Sequence, residues 1–236
     1  LASTHQEFNP DNLNPKKLHA LLLGGVAPRP IAFASTIDKE GRVNLAPFSY
    51  FNVFSANPPI LIFSPARRGK DNTTKHTLDN VLEVPEVVIN MVDYDLVHAC
   101  SLASTDYPQG VNEFEKAGLT EVPSVTITPP RVLESPVSME CKVLKVESFG
   151  PNPGAGNLVF CEIKRMHFRN NVLGSDGLPD ADLLDLVARC GGSYYTRASK
   201  EALFEIPKPI ANLGIGVDAI PKDICTSSIL TGKHLA

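Results

Sequence analysis

Long apolar runs and an excess of basic charge are both absent from this 236-residue sequence. No segment approaches the ~18 consecutive apolar residues that a membrane-spanning helix requires. The 22 lysine and arginine residues are outnumbered by 26 aspartate and glutamate residues, which gives a formal net charge of −4. A nucleic-acid-binding protein usually carries a basic surface, so this balance argues against that partner. We therefore expect neither membrane insertion nor nucleic-acid binding.

Paired cysteines are also absent. The five cysteines are odd in number and widely spaced, and none forms a CxxC pair. This pattern argues against a disulfide framework or a structural zinc site and is typical of a reducing compartment. The first residues lack the basic-then-apolar pattern of a signal peptide. We expect a cytoplasmic protein.

Catalytic and nucleotide-binding motifs are missing as well. A Walker A loop, HExxH and GxSxG do not occur, and the nearest approach to GxGxxG, at residues 154–157, lacks its third glycine. The six histidines are scattered, without the spacing of metal ligands. The sequence therefore predicts no metal site and no catalytic nucleophile, acid or base.

Proline, by contrast, is abundant, at 20 residues where average usage is about 5 %. Prolines this frequent would break long helices, and the short apolar segments between them favour an all-β barrel. We predict one domain over residues 1–236, with a lead-in over 1–20 and a surface-wrapping tail from about 205 to 236. Strands are predicted over 31–35, 43–54, 60–63, 87–92, 137–148 and 158–168, and helices over 16–23, 77–82, 96–103, 113–117 and 181–189.

Two segments suit a small anionic aromatic cofactor such as FMN, which needs a phosphate site, polar partners for the ring edge and an apolar slot. Residues 73–77 carry threonines, Lys75 and His76 directly before a predicted helix, whose free N–H groups attract anions. Residues 44–52, with Ser35 and Thr36 nearby, mix small polar groups with aromatic rings. Taken alone, the first segment is better explained as a solvated helix start and the second as an ordinary aromatic strand.

The run PRPIAFASTIDKEGRVNLAPFSYFNVFSANPPILIFSP resembles the flavin reductase-like, FMN-binding split-barrel family, and in particular its flavoredoxin-type branch. Further segments match in the same order, at residues 75–80, 107–114, 135–141, 154–157, 189–195 and 227–232. The resemblance covers residues 20–233. It implies a six-stranded Greek-key split barrel with a few peripheral helices that forms a homodimer and binds FMN non-covalently near the dimer interface.

The resemblance also implies site residues. Ser35 and Thr36 are expected to approach the isoalloxazine ring, Asn44, Ala46, Pro47 and Ser49 to line the ring or ribityl chain, Phe51, Asn52 and Ser64 to lie close by, and Lys75 and Thr77 to hold the phosphate. His76 stands where the family often has aspartate, which leaves Lys70 as an alternative to Lys75. Tyr195 and His167 are candidates for the pocket over the flavin, although both are equally compatible with structural roles.

The function implied is an NAD(P)H-dependent flavin reductase, in which a transiently bound nicotinamide passes hydride to FMN and an unknown acceptor takes the electrons. Two alternatives stay open: a flavoredoxin-like electron carrier with little NAD(P)H activity, and a split barrel that binds a ligand without redox chemistry.

Overall fold

The computed structural model describes residues 4–206 and 221–229, within two compact units, Leu1–Ala202 and Leu203–Ala236. Each unit is described by itself. Most of the predicted tail lies outside the described residues, and the extent of the single domain stays a prediction.

Short strands dominate the first unit, which confirms the mainly β class. The strands are β1 (Ala32–Ile37), β2 (Val43–Phe48), β3 (Phe51–Ala56), β4 (Pro59–Phe63), β5 (Glu86–Asn90), β6 (Glu121–Val122), β7 (Arg131–Val132), β8 (Val137–Ser148), β9 (Asn157–Phe168), β10 (Val187–Arg189) and β11 (Tyr195–Arg197). The helices are α1 (Pro15–Gly25), α2 (His76–Glu83), α3 (Val97–Ala103), α4 (Glu113–Ala117) and α5 (Ala181–Leu184), with 3₁₀ turns at Pro10–Asn12, Asn170–Val172 and Lys200–Ala202.

Seven of these strands, within residues 4–206, form one antiparallel sheet in the order β2-β1-β5-β8-β9-β4-β3. β10 pairs with β11, and β6 pairs with β7. Strand β1 is buried on both faces: Ala32 and Ala34 pack into one hydrophobic cluster, whereas Ile31 and Phe33 pack into another. This alternation follows from the two-residue period of a strand.

The connection between β2 and β3 determines how the sheet curves. These two strands are the outermost in the sheet, yet only Ser49 and Tyr50 separate them in sequence. A flat seven-stranded sheet would be about 29 Å wide at ~4.8 Å per strand, whereas three residue steps span at most about 11 Å. The sheet must therefore curl until its two edges approach each other, which is the geometry of a split barrel.

The same connection accounts for the seventh strand. The sequence predicted one strand over residues 43–54, but the structure has two, because β2 pairs with β1 while β3 pairs with β4. The chain changes edge at Ser49 and Tyr50, where the Tyr50 carbonyl accepts a hydrogen bond from the Ser64 N–H at 2.9 Å.

The helix predicted over residues 181–189 is wrong beyond Leu184. Asp185 adopts a left-handed conformation (φ 46°) that ends α5, and its carboxylate forms a 2.6 Å ion pair with Arg197. Residues 187–189 then form β10 and pair with β11. Gly191 and Gly192, at φ 91° and 52°, make the turn of this hairpin rather than a helix cap.

The described part of the second unit, residues 203–206 and 221–229, holds one short helix, α6 (Lys222–Cys225). Across all the described residues, none of the helices has the length and hydropathy needed to cross a membrane.

Candidate cofactor-binding site

A cavity of about 550 Å³ lies where β2 turns into β3. Its walls come from α1, the second half of β2, the segment after β4, the start of α2 and the chain that follows α3. The volume falls within the usual 300–1,000 Å³ range of small-molecule sites.

Six of the predicted site residues line this cavity: Asn44, Ala46, Pro47, Ser49, Ser64 and Lys75. The other five, Ser35, Thr36, Phe51, Asn52 and Thr77, are not among its lining residues. Ser35 and Thr36 are fully buried in β1. Thr77 lies one layer behind the wall, where its hydroxyl accepts a 2.9 Å hydrogen bond from the Asn44 amide. Thr77 therefore orients a lining residue.

One end of the cavity is suited to an anion. Lys75 is the N-cap of α2, and no side chain caps this helix start. The Lys75 ammonium is half-buried and makes no hydrogen bond or ion pair with any of the described residues. Burial and the nearby positive charge of Arg68 lower its pKa. An anion bound here would satisfy both the ammonium and the free helix N–H groups.

The other candidate lysine is already engaged. Lys70 is 64 % exposed at its side chain and forms an ion pair with Asp106. Arg68 binds the same carboxylate at 3.0 Å and also donates to the Thr73 hydroxyl at 3.1 Å and to the Thr74 carbonyl. Arg68 and Asp106 thus tie the segment after β4 to the end of α3, and Lys75 is left with its charge available.

Another part of the cavity lining is apolar and aromatic. Pro47 and Phe48 from β2, Tyr50 from the connection and Leu23 from α1 all face it. The lack of an N–H on Pro47 costs little, because β2 is an outermost strand. Glu113 also lines the cavity: its buried carboxylate accepts a 2.9 Å hydrogen bond from the Leu45 N–H. Burial raises the pKa of Glu113, and this hydrogen bond only partly opposes the effect.

Sequence reasoning assigned no role to Arg68, Asp106 or Glu113. Their contacts, Arg68 with Asp106 and Glu113 with Leu45, join residues 38 and 68 positions apart. The sequence signals were weak: Arg68 and Asp106 lie in polar segments between predicted elements, and Glu113 is the first residue of a predicted helix.

Tyr195 and His167 occupy different places. His167 lies on β9, where its Nε2 is 2.7 Å from the fully buried Glu140 carboxylate, and it is not among the cavity's lining residues. Tyr195 lines a second cavity of about 210 Å³, which shares Pro47, Phe48, Ser49 and Ser104 with the first.

The residues present fit a flavin mononucleotide. An uncommitted ammonium beside an uncapped helix start suits a phosphate, the apolar lining suits the isoalloxazine ring, and Asn44, Ser49 and Ser64 supply further polar groups. Within the described residues, no group of three or more histidine, cysteine, aspartate or glutamate residues is placed to hold a metal ion.

Comparison with known proteins identifies similar chains. Component B of nitrilotriacetate monooxygenase from Bacillus cereus is 30 % identical and covers 87 % of this chain and 100 % of its own, with a TM-score of 0.80. The 2-nitrobenzoate 2-nitroreductase NbaA of Pseudomonas fluorescens is 30 % identical over 89 % of this chain and 100 % of its own, with a TM-score of 0.76.

A Shewanella frigidimarina protein described with a split barrel domain has a TM-score of 0.72 at 22 % identity, covering 86 % of this chain and 100 % of its own, which shows the shared fold. Residues 24–191 match the family model of the flavin reductase like domain. The chain belongs to the flavin reductase like domain family.

Proposed function

We propose that the 550 Å³ cavity binds FMN and that the protein is an NAD(P)H-dependent flavin oxidoreductase. The observation that carries the proposal is the uncommitted Lys75 ammonium at the uncapped start of α2, in a cavity that Pro47 and Tyr50 also line. A ligand with a phosphate and a flat ring matches both features of this cavity. Family membership supports a flavin.

The bound flavin would supply the redox chemistry, taking a hydride from a nicotinamide and giving the electrons to an acceptor. The protein's own residues have simpler tasks. Lys75 and the α2 N–H groups hold the phosphate, Asn44 is kept in place by Thr77, and Pro47 and Tyr50 exclude water from one side of the ring. No protein acid or base is required, in keeping with the lack of a catalytic motif.

The direct test is an anaerobic half-reaction. Purified protein is loaded with FMN and mixed with NADH or NADPH while the flavin absorbance is followed. Bleaching by either nucleotide supports the oxidoreductase. Binding of FMN without bleaching by either would leave the electron carrier, and failure to bind FMN would leave only a ligand-binding barrel without flavin.

The similar proteins suggest two kinds of electron acceptor. Component B of a monooxygenase belongs to a system with a further component, and a nitrobenzoate reductase acts on a small aromatic molecule. For this chain we infer an acceptor that reaches the cavity from its open side.

We also propose a homodimer. The support is a pair of apolar side chains on β3, an outermost strand: Val53 and Phe54 are 61 % and 63 % exposed. A solution mass equal to that of one chain, measured by light scattering, would contradict it. Location in the cytoplasm stays a prediction from the cysteine pattern.

A further inference from the structure

The second cavity, of about 210 Å³, lies directly beside the proposed flavin site. The two cavities share the wall formed by Pro47, Phe48 and Ser49, together with Ser104. The second is well under half the volume of the first, so it suits a single substituted ring rather than a whole nucleotide.

The charge in this second cavity is one-sided. Among the described residues that line it, Arg189 is the only charged one; the others are apolar or carry a hydroxyl or thiol. The Cys100 thiol stays neutral, because burial raises its pKa to about 12. A ligand in this cavity therefore meets one positive charge and no negative one.

Arg189 has no carboxylate partner among the described residues. Its guanidinium donates one hydrogen bond to the Gly192 carbonyl at 2.7 Å and lies 4.6 Å from the centre of the Tyr195 ring. Arg197 and Arg169 differ in this respect, since each has a carboxylate partner at 2.6 Å, Asp185 and Asp93 respectively. The missing partner at Arg189 leaves donors free for an anion.

The backbone holds Arg189 in place before any ligand arrives. Its N–H and carbonyl both hydrogen-bond to Arg29, each at 2.9 Å. Gly191 packs so closely against α1 that a Cβ there would lie 3.1 Å from the Leu23 carbonyl. A cation fixed in this way loses little entropy when it binds an anion, which favours affinity.

We propose that the second cavity binds a planar aromatic ring carrying one carboxylate, with the carboxylate paired to Arg189 and the ring beside Phe48 and Tyr195. A bidentate carboxylate is the anion that a guanidinium fork matches best. The nicotinamide ring is a poor match because its amide carries no negative charge. The proposal depends on the proposed function in one respect: if the protein is a flavin enzyme, this ligand is its second substrate.

The test uses benzoate and its neutral analogue benzamide, titrated calorimetrically into the FMN-loaded protein and, in parallel, into protein without FMN. We expect benzoate to bind at least tenfold more tightly than benzamide. In Arg189→Gln this preference is lost. The matched control is Arg165→Gln, which removes the same charge from an exposed position on β9 and is expected to keep the preference.

A second variant leaves the charge in place and fills the cavity. Ser101 lines only the smaller cavity, so Ser101→Phe is expected to weaken benzoate binding at least tenfold while FMN still binds. Retained FMN binding shows that each variant is folded.

Equal affinities for benzoate and benzamide, or wild-type benzoate affinity in Arg189→Gln, would overturn the proposal. A third outcome would also overturn it: the wild type shows no preference for benzoate, and Arg189→Gln loses NADPH binding. Arg189 would then bind a nucleotide phosphate. Selective benzoate binding by a protein that takes up no FMN would keep this site and refute the proposed flavin function.

Discussion

Replacing Lys75 with methionine is expected to weaken FMN binding about tenfold and to leave riboflavin binding unchanged. Hydrogen bonds to charged groups contribute about 1.5–3 kcal/mol, which corresponds to roughly 10- to 150-fold in affinity. Lys75 is only half-buried, so solvent screening favours the lower end of this range. Methionine keeps the apolar stem and removes the ammonium, so the packing of the α2 start is preserved.

The assay is quenching of flavin fluorescence during titration with protein, carried out with FMN and riboflavin side by side. Because riboflavin lacks the phosphate, the ratio of the two affinities isolates the phosphate contact. Lys70→Met is the matched control: Lys70 is exposed and already paired with Asp106, so its loss is expected to change FMN affinity less than threefold. Equal losses of FMN and riboflavin affinity in Lys75→Met, or a larger effect in Lys70→Met, would refute the assignment.

The pH dependence of FMN binding provides a second test of the contact between Lys75 and the phosphate. Burial and the Arg68 charge lower the pKa of Lys75 in the free protein, and a bound phosphate would raise it again. The protonated ammonium is the form that binds, so FMN affinity is greatest below the free-protein pKa and falls as the pH rises through it. Riboflavin affinity over the same pH range should not follow this fall, and a parallel fall would place the titrating group elsewhere.

Three further predictions concern residues that support the fold or the site. Glu140 is fully buried; hydrogen bonds from Thr126, Val125 and His167 outweigh the effect of burial and lower its pKa to about 2. The Glu140 carboxylate should therefore contribute about 3 kcal/mol to the free energy of unfolding. This contribution is present above the pKa that Glu140 has in the unfolded chain and is lost as the pH falls toward 2, so the stability of Glu140→Gln should not show this loss in acid unfolding. Gly191→Ala should lower the free energy of unfolding, measured by urea denaturation, by about 1–3 kcal/mol, because Gly191 has a positive φ and lies close to the Leu23 carbonyl. Gly24→Ala is the control: there is open space at the Cβ position of Gly24, so this change should stabilise α1 by up to about 1 kcal/mol. Thr77→Val should cost about 1–3 kcal/mol of stability and weaken FMN binding, since the Asn44 amide loses its partner, and Thr77→Ser should restore both in the same two assays.

Elements whose signals are local were predictable from the sequence. The long pair β8 and β9 follows from two alternating segments, and the turn before β2 follows from Gly41 at φ 85°. The helix start at α4 follows from Asn112, whose side chain accepts from the Phe114 N–H. For the turn and the helix start the deciding contacts join neighbours in sequence, and for β8 and β9 the alternation within each strand is itself a local signal, so propensity and pattern suffice.

Elements decided by distant partners were not predictable in this way. Neither Ser49 nor Tyr50 is a glycine or proline, and Pro47 lies within β2 rather than after it, so the sequence does not mark the end of the strand. The end comes from competition between two partners, since β1 pairs with the residues before it and β4 with those after it. Likewise, residues 187–189 form a strand because β11 is available to pair with them.

The candidate site likewise combines features that depend on sequence neighbours with features that depend on distant contacts. Asn44, Ala46, Pro47 and Ser49 could be predicted together because they are neighbours in one segment. The Arg68–Asp106 pair engages Lys70 and leaves Lys75 available, and it depends on a contact across 38 residues. The proposal of Lys75 rather than Lys70 therefore rests on the structure, although both candidates came from the sequence.

The position of the cavities follows from the way the sheet closes. Where β2 gives way to β3, the chain leaves one edge of the sheet and joins the other, and Ser49 and Tyr50 lie outside the ladder. Apart from the Tyr50 carbonyl, which accepts from the Ser64 N–H, and the Ser49 hydroxyl, which accepts from Arg29 at 3.5 Å, the groups of these two residues lie outside the ladder and are available to a ligand. The wall shared by both cavities, Pro47 to Ser49, lies at this point. A flavin on one side of that wall and an aromatic carboxylate on the other would thus be neighbours because of a single topological feature, the change of edge that curls the sheet.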